Sequence, residues 1–295
     1  LEKIVGSLSE SGAKPSSKLV ADACDLLPKA GLVNPLKYIS SEHRKIVTDD
    51  SKLFPSPVAG LDSFATIKDH DRREYVHLVV RQLRTGKVEL RRSVKAGGTV
   101  FGVAKKGSTK VREVWDGSRV SDVCVPPPPP PMLATPCSFP RIEVAHGKKL
   151  LLSKKDCRCF FDQLELPEAV RPWTGRPPVR IDELIRIGGM SRSELVCLLP
   201  KASRLRGGDT FFPVSRVWCM GFAWSSFIAQ STLLACCRKA GFRDEMCLCD
   251  AQPTPDVATE AFALATDDVM HSRQLARTCL VPAWTTWIGC YLMRA

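Results

Sequence analysis

The order of apolar and polar positions predicts one amphipathic helix early in the chain. Between residues 71 and 83 the apolar positions follow helical spacing, and Gly86 is a plausible stop. The positions that carry this pattern are Tyr75, Leu78, Val79 and Leu83. We therefore predict a helix over residues 71–83. A shorter helix is possible over residues 17–29, ended by Gly31.

The next segment alternates valine with charged residues, which is typical of strands. This alternation runs through residues 88–94, 99–107 and 110–120, and glycines separate the stretches. We predict strands joined by glycine turns, with basic side chains along them. The prolines at residues 126–131 cannot join a helix or a sheet ladder, so we predict a polyproline II connector between two lobes.

A polar segment and an uncharged segment follow in the second half of the chain. Residues 168–210 contain one amphipathic piece at residues 181–199 and are more typical of an insertion than of a core element. Residues 217–237 contain no charge, and at ~20 residues they are long enough to span a bilayer. Their polar side chains favour a buried loop and helix of a soluble core, with a membrane span as the alternative.

Two apolar runs end at carboxylates. Residues 149–153 lead to Asp156, and residues 261–265 lead to Asp267 and Asp268. If the runs are neighbouring strands, the three carboxylates converge and repel one another unless cations neutralise them, and their oxygens favour Mg²⁺ or Mn²⁺. Two such ions would activate a 3′-hydroxyl and stabilise a leaving pyrophosphate.

The same residues also fit a helix. Thr266 is a suitable N-cap, and Asp267 and Asp268 would then lie in the first turn, where the helix dipole favours negative charge. On the residues of this segment alone, the helix is favoured over the strand.

The composition indicates a class of binding partner and a cellular compartment. The 43 Lys and Arg outnumber the 31 Asp and Glu, for a formal net charge of +12. An excess of that size commonly indicates a polyanionic partner such as nucleic acid, with a solvated basic surface as the alternative. The 13 cysteines are odd in number and irregularly spaced. With no signal peptide before them, we expect reduced thiols in an intracellular protein of the cytoplasm or nucleus, and no zinc site.

Four blocks, in order, resemble the reverse transcriptase family over roughly residues 86–270. The first block, TVFGVAKKGSTKVREVWDGSRVS, is similar to the fingers block: an apolar strand, a lysine-rich turn, an arginine-bearing strand and an Asp followed by Arg. This resemblance implies that Lys105 and Arg112 hold the incoming triphosphate, Arg as a planar fork and Lys as a point charge.

The second block, DCRCFFDQLELP, resembles the first palm block, in which a metal-binding Asp precedes an aromatic and a Gln. It implies that Asp156 binds metal and that Phe161 is the steric gate that rejects a 2′-hydroxyl. The two neighbouring phenylalanines, 160 and 161, are also candidates for the core.

The third block, CMGFAWSSFIAQ, is similar to the loop and helix that pack under the nascent base pair. Gly221 and Gln230 match its fixed positions, and the glycine would let the backbone approach the nucleotide. The fourth block, ATDDV, resembles the Tyr-x-Asp-Asp hairpin. It implies metal binding by Asp267 together with Asp156, with Asp268 completing the acidic cluster.

The resemblance implies an α/β (α+β) fold, a right-hand polymerase palm and fingers with a mixed or antiparallel sheet, packed helices and a missing or truncated thumb. The implied divisions are an N-terminal segment of unknown role (1–70), a fingers-like region (71–125), the polyproline connector (126–131), a palm-like region (132–275, with an insertion at about 168–210) and a truncated tail (276–295).

The implied function is RNA-directed DNA synthesis, as in retrotransposon-type elements. Two Mg²⁺ or Mn²⁺ ions would be the cofactors, and an RNA template, a DNA or RNA primer and dNTPs the partners. The chain departs from the family where Ala265 replaces an aromatic and Phe160 replaces a small residue. These departures leave a catalytically inactive nucleic-acid-binding relic as the alternative, and a membrane-anchored protein as a less favoured one.

Overall fold

The computed structural model describes residues 18–276, except 57–59, 63, 65–68, 106–107, 145, 200–205, 254, 256–259 and 266–267. Its strands are β1 (Val88–Arg91), β2 (Val100–Ala104), β3 (Val111–Trp115), β4 (Lys148–Asp156), β5 (Val179–Arg180), β6 (Thr210–Ser215), β7 (Glu260–Ala265) and β8 (Asp268–Ala276). Its α-helices are α1 (Ser41–Val47), α2 (Asp50–Leu53), α3 (Asp69–Thr85), α4 (Ser118–Asp122), α5 (Phe160–Gln163), α6 (Ile181–Arg186), α7 (Arg192–Leu198) and α8 (Ala223–Lys239).

The described strands form three small antiparallel sheets, with the orders β1–β6–β5, β2–β3 and β4–β8–β7. The α+β class is therefore confirmed, although three separate sheets stand where one was expected. The β1–β6 pairing joins a strand that precedes the proline run to one that follows it, with Val88 opposite Ser215. The two halves of the chain thus share one sheet.

The helices α3 and α8 supply much of the core. All four apolar positions that predicted α3 are buried, and Gly86, with a φ of +75°, follows its last residue. In α8 the four consecutive residues 228–231 are all buried, and four consecutive positions cover every side of a helix. A helix surrounded by core tolerates no charged side chain, which accounts for the uncharged segment 217–237. Among the described helices, none combines the length and apolar character needed to cross a membrane.

The helix predicted over residues 17–29 is wrong for its described part, residues 18–29. That part contains only a short 3₁₀ turn at Ala21–Ala23. Its backbone is tied to distant elements: the Ala21 amide donates to Glu74 Oε2 over 2.8 Å, and Cys24 forms a bridge with Val111 of β3. These long-range bonds compete successfully with the local helical ones because an isolated helix this short is only marginally stable.

The helix that Thr266 would begin is also wrong. The strand β8 starts at Asp268 and is paired on both sides, by β4 and by β7. Ala265, the last residue of β7, pairs with Asp268, and the two strands are antiparallel. Backbone bonds to two neighbours outweigh the capping preference of a single threonine.

Residues 168–210, expected to be an insertion, contribute core elements in their described part. They include β5, α6, α7 and the first residue of β6. Val179, Ile181, Leu184 and Leu195 are fully buried there. The amphipathic pattern at residues 181–199 corresponds to two short helices that are separated by a glycine pair.

The proline run at residues 126–131 lies in neither a helix nor a strand, as predicted. Its two ends are fixed to α8. Trp224 Nε1 donates to the Val125 carbonyl over 2.7 Å, and Gln230 Nε2 donates to the Met132 carbonyl over 3.3 Å. The connector therefore follows the helix between these two bonds.

Candidate functional site

A cavity of about 150 Å³ lies where β3, the end of β4, α5 and the loop after β6 meet. Its lining includes Lys105, Arg112, Asp156 and Phe161, four of the residues that the sequence singled out. They come from two separate stretches of chain, before and after the proline run. The cavity is smaller than the ~300 Å³ at which typical small-molecule pockets begin, so it has room for part of such a ligand.

The β2–β3 hairpin brings two cations to the cavity. In its register Val103 is opposite Arg112, and the Lys105 amide closes the turn by donating to the Lys110 carbonyl over 3.0 Å. Arg112 is exposed, and the Lys105 side chain is about half exposed. Both cationic groups are therefore accessible to an anion in solvent.

The N-terminal segment also reaches this cavity, through Asp25. Its carboxylate lies 3.8 Å from Lys105 Nζ and forms a closer ion pair with Lys110. The hydrogen bond from Lys110 lowers the pKa of Asp25, so the group is ionised at neutral pH. A carboxylate thus occupies the position beside the hairpin lysines that another anion would take.

Asp156 ends β4 directly opposite the first residue of β8, Asp268. Directly opposed residues of antiparallel strands have Cα atoms ~4.5–5.5 Å apart, so these two backbones are adjacent. The Asp156 side chain is exposed and lines the cavity. Asp267 lies outside the described residues, and of Asp268 only the backbone is described.

The two phenylalanines of α5 have different roles. Both line the cavity, but Phe160 is also buried in the core, whereas Phe161 is half-buried. The preceding Cys159 adopts a left-handed conformation, with φ 48° and ψ 45°, which turns the chain sharply from β4 into this short helix. Such a conformation costs a non-glycine residue of order 1–3 kcal/mol. The turn therefore places both rings at the cavity, with Phe160 buried and Phe161 partly exposed.

Gly221 and Gln230 are not among the residues that line this cavity. Gly221 has a φ of +107°, and a Cβ atom there would lie 2.2 Å from the carbonyl oxygen of Trp115. The close approach that requires glycine is thus to the end of β3. Gln230 is buried in α8 and bonds to Met132, at the end of the proline run.

A buried ion network that the sequence did not predict lies along one wall of the cavity. Lys87 Nζ is 2.9 Å from both Glu113 Oε2 and Asp162 Oδ1. Glu113 also forms a close ion pair with Arg176, which is almost fully buried. The sequence does not show that these charged residues are buried, because each lies in a segment that also contains charged residues exposed to solvent.

Burial and pairing shift the pKa values of this network. Burial favours the neutral form of Glu113, but Arg176 and Lys87 outweigh it and hold the pKa of Glu113 at about 2. Burial raises the pKa of Asp162, and Lys87 opposes that shift only in part. Despite its burial, the pKa of Lys87 is raised by Asp162 and Glu113. Lys87 is therefore charged across the physiological range.

A larger cavity of about 780 Å³ lies on the β1–β6 side of the chain. Arg91, Arg92 and Arg216 line it, together with Glu89 and Glu168. None of the predicted site residues belongs to its lining. Arg171, whose side chain is 9% exposed, pairs with Glu89 over 3.0 Å and with Glu168 over 2.7 Å. Arg91 and Arg216 pair with the same glutamates and therefore share carboxylates that another cation already holds.

Among the side chains that the structure describes, no group of three or more His, Cys, Asp or Glu is arranged to hold a metal ion. The side chains of Asp267 and Asp268 are not in that set. No model of a known protein family matches the chain, and no curated protein matches it.

Proposed function

We propose that this chain forms palm and fingers regions of a reverse-transcriptase-type polymerase and extends a primer 3′-hydroxyl on an RNA template. One observation carries the proposal. Lys105, Arg112, Asp156 and Phe161, named from separate sequence blocks, line one cavity. The two blocks that supply these residues lie on opposite sides of the proline run and meet at this cavity.

The strand order supports the placement of the metal ligands. The hairpin of β7 and β8 lies beside β4, with Asp268 opposite Asp156. Asp156 offers exposed carboxylate oxygens, the ligand type that Mg²⁺ and Mn²⁺ prefer, so this residue fits a divalent metal site. Asp156, Asp267 and Asp268 would hold two ions. Bound there, the ions would lower the pKa of the attacking hydroxyl and neutralise the leaving pyrophosphate.

The other predicted residues in the cavity lining would bind different parts of a nucleotide. Arg112 would hold the triphosphate through its planar fork and Lys105 through its point charge. To do so, Lys105 has to exchange Asp25 for phosphate. Phe161 presents a half-buried ring to the cavity, where it would exclude a 2′-hydroxyl by its bulk.

Template and primer would be held by charge. The formal net charge of +12 favours binding of phosphate backbones, and such binding weakens as salt is raised. Gly221 would act indirectly, because it fixes the start of α8 against the end of β3. Gln230 would have a similar supporting role at the proline run.

A second function is favoured by the size of the cavity. Phe160 lines it together with Phe161, and the volume of about 150 Å³ is small for a nucleotide. Ala265 also replaces an aromatic in the hairpin. These features favour a chain that binds nucleic acid without extending a primer.

Primer extension separates the two functions. The protein is incubated with an RNA template, a labelled primer, dNTPs and Mg²⁺ or Mn²⁺, beside Asp156→Asn and Asp267→Asn variants. Extension by the wild type and not by either variant supports the polymerase. Template binding by all three proteins without extension selects the binding function and rejects catalysis.

A further inference from the structure

The four charged residues of the buried network form one continuous chain of ion pairs. Their side chains are 12% exposed for Lys87, 6% for Glu113, 14% for Asp162 and 2% for Arg176. Two cations and two carboxylates balance in charge. The network has polar partners at its Arg176 end, where Nη1 donates to Gln82 over 3.0 Å and Nη2 donates to Ser215 over 3.0 Å.

The two carboxylates that pair with Lys87 Nζ belong to different parts of the cavity wall. Glu113 follows Arg112 in β3, and Asp162 follows Phe161 in α5. Successive residues of a strand face opposite sides, so the side that carries Glu113 is opposite the side that carries Arg112. Lys87 thus connects Glu113, next to the proposed triphosphate ligand Arg112, to Asp162, next to the proposed sugar gate Phe161.

Few backbone hydrogen bonds tie the β2–β3 hairpin to the rest of the chain. It is a separate two-stranded sheet and shares no ladder with the other described sheets. Isolated backbone bridges join Val111 to Cys24 and, just before β2, Gly97 to Gly175. Side chains add to these contacts, among them the bond from Trp115 Nε1 to the Gly175 carbonyl and the ion pairs of Glu113. Hydrogen bonds from one ammonium group to both carboxylates restrict the distance between them.

We propose that Lys87 is a positioning residue, which fixes the β2–β3 hairpin against α5 and thereby sets the spacing between Arg112 and Phe161. This inference rests on the proposed function for its kinetic consequence. Apolar side chains of similar volume would stabilise such a buried site as well as ions do. The specific contribution of the ions is therefore the geometry of the hairpin.

The test compares Lys87→Met with Lys87→Arg and with Arg84→Met. Methionine keeps the length of the side chain and removes the charge. Arginine keeps the charge and reaches both carboxylates. Arg84 lies at the end of α3, close to Lys87 in sequence, and pairs with Glu194 on the surface over 2.8 Å. Arg84→Met is thus a matched loss of one cation outside the cavity.

Hydrogen–deuterium exchange measures the coupling between the β2–β3 hairpin and α5, and it does not require that the protein be an active enzyme. Lys87→Met should raise exchange both in the β2–β3 hairpin and at residues 160–163, leave α8 unchanged, and be reversed in Lys87→Arg. Arg84→Met should change neither segment. Exchange that stays unchanged in both segments, or rises everywhere in equal measure, would overturn the proposal. If Lys87→Met does not fold, Asp162→Asn is measured instead and should show the same pattern.

Steady-state incorporation then tests the consequence. In Lys87→Met we expect the KM for dNTP to rise about tenfold or more, the preference for dNTP over rNTP to fall, and kcat to change less. A fall in kcat with KM and sugar preference unchanged would show a merely structural role. If the wild type incorporates no nucleotide, the proposed function fails, while the exchange data still decide whether Lys87 couples the two segments.

Discussion

Replacement of Gly221 by alanine tests the close approach between the start of α8 and the end of β3. Two separate costs are expected. The φ of +107° is unfavourable for any residue with a Cβ atom, at about 1–3 kcal/mol. The added Cβ would also lie 2.2 Å from the Trp115 carbonyl oxygen, so backbone must move. Crowding of this kind costs typically about 1–3 kcal/mol. Together we expect a loss of about 2–6 kcal/mol.

Gly241→Ala is the matched control for this prediction. Gly241 has a φ of +92°, and nothing lies within 4 Å of the position of an added Cβ. It should therefore lose only the conformational part, about 1–3 kcal/mol. Urea unfolding curves of the two variants and the wild type give both losses, and the difference isolates the contact with Trp115. Equal losses would refute the close approach, and with it the way in which β3 is held against α8.

Other predictions concern the cavity and its ion network. Asp25→Asn removes the carboxylate beside Lys105. It should tighten the binding of tripolyphosphate about two- to fivefold, which corresponds to the free energy of an exposed ion pair. An unchanged affinity in calorimetry would mean that Asp25 does not compete with anions. Phe161→Ala should lower the preference for dNTP over rNTP in incorporation assays, and an unchanged preference would remove its assignment as the gate. Although burial alone would raise the pKa of Glu113, its cations hold it at about 2, below the ordinary 4.5. The charged form then stabilises the fold above pH 4.5, and this contribution is lost as the pH falls from 4.5 towards 2. Glu113→Gln should therefore unfold with a shallower pH dependence in that range; an acid transition identical to that of the wild type would contradict the pairing.

Local patterns predicted the elements that have a strong periodicity or a clear stop. The helix α3 was predicted from four apolar positions and a terminal glycine, and the structure buries all four. The strands around residues 88–120 and the irregular proline run were also predicted. In these segments the local preference and the long-range contacts favour the same conformation.

Prediction failed where distant contacts decide the structure. Residues 18–29 have enough apolar positions for a helix, but their backbone bonds to Glu74 and Val111 instead. The polar appearance of residues 168–210 concealed core positions such as Val179 and Leu184. Neither outcome follows from local sequence, because both depend on partners far along the chain.

The candidate site was predictable in part. The resemblance of separate sequence blocks to one family named Lys105, Arg112, Asp156 and Phe161, which line the same cavity, and their roles stay predictions. The network of Lys87 and Glu113 was not predictable, since a charge in an amphipathic segment is usually exposed to solvent. Only the fold shows that Lys87 and Glu113 lie close enough to form an ion pair, which offsets the cost of burying their charges.

Metal-directed cleavage tests most directly the proposal that Asp156 and the β7–β8 strands hold divalent metal beside the cavity. Fe²⁺ is bound in place of Mg²⁺, ascorbate and peroxide are added, and the cut positions of the backbone are mapped. We predict cuts in two segments, near residue 156 and near residues 267–268, that excess Mg²⁺ suppresses and Asp156→Asn abolishes. Cleavage at only one segment, or cleavage that Asp156→Asn leaves unchanged, would contradict a shared metal site.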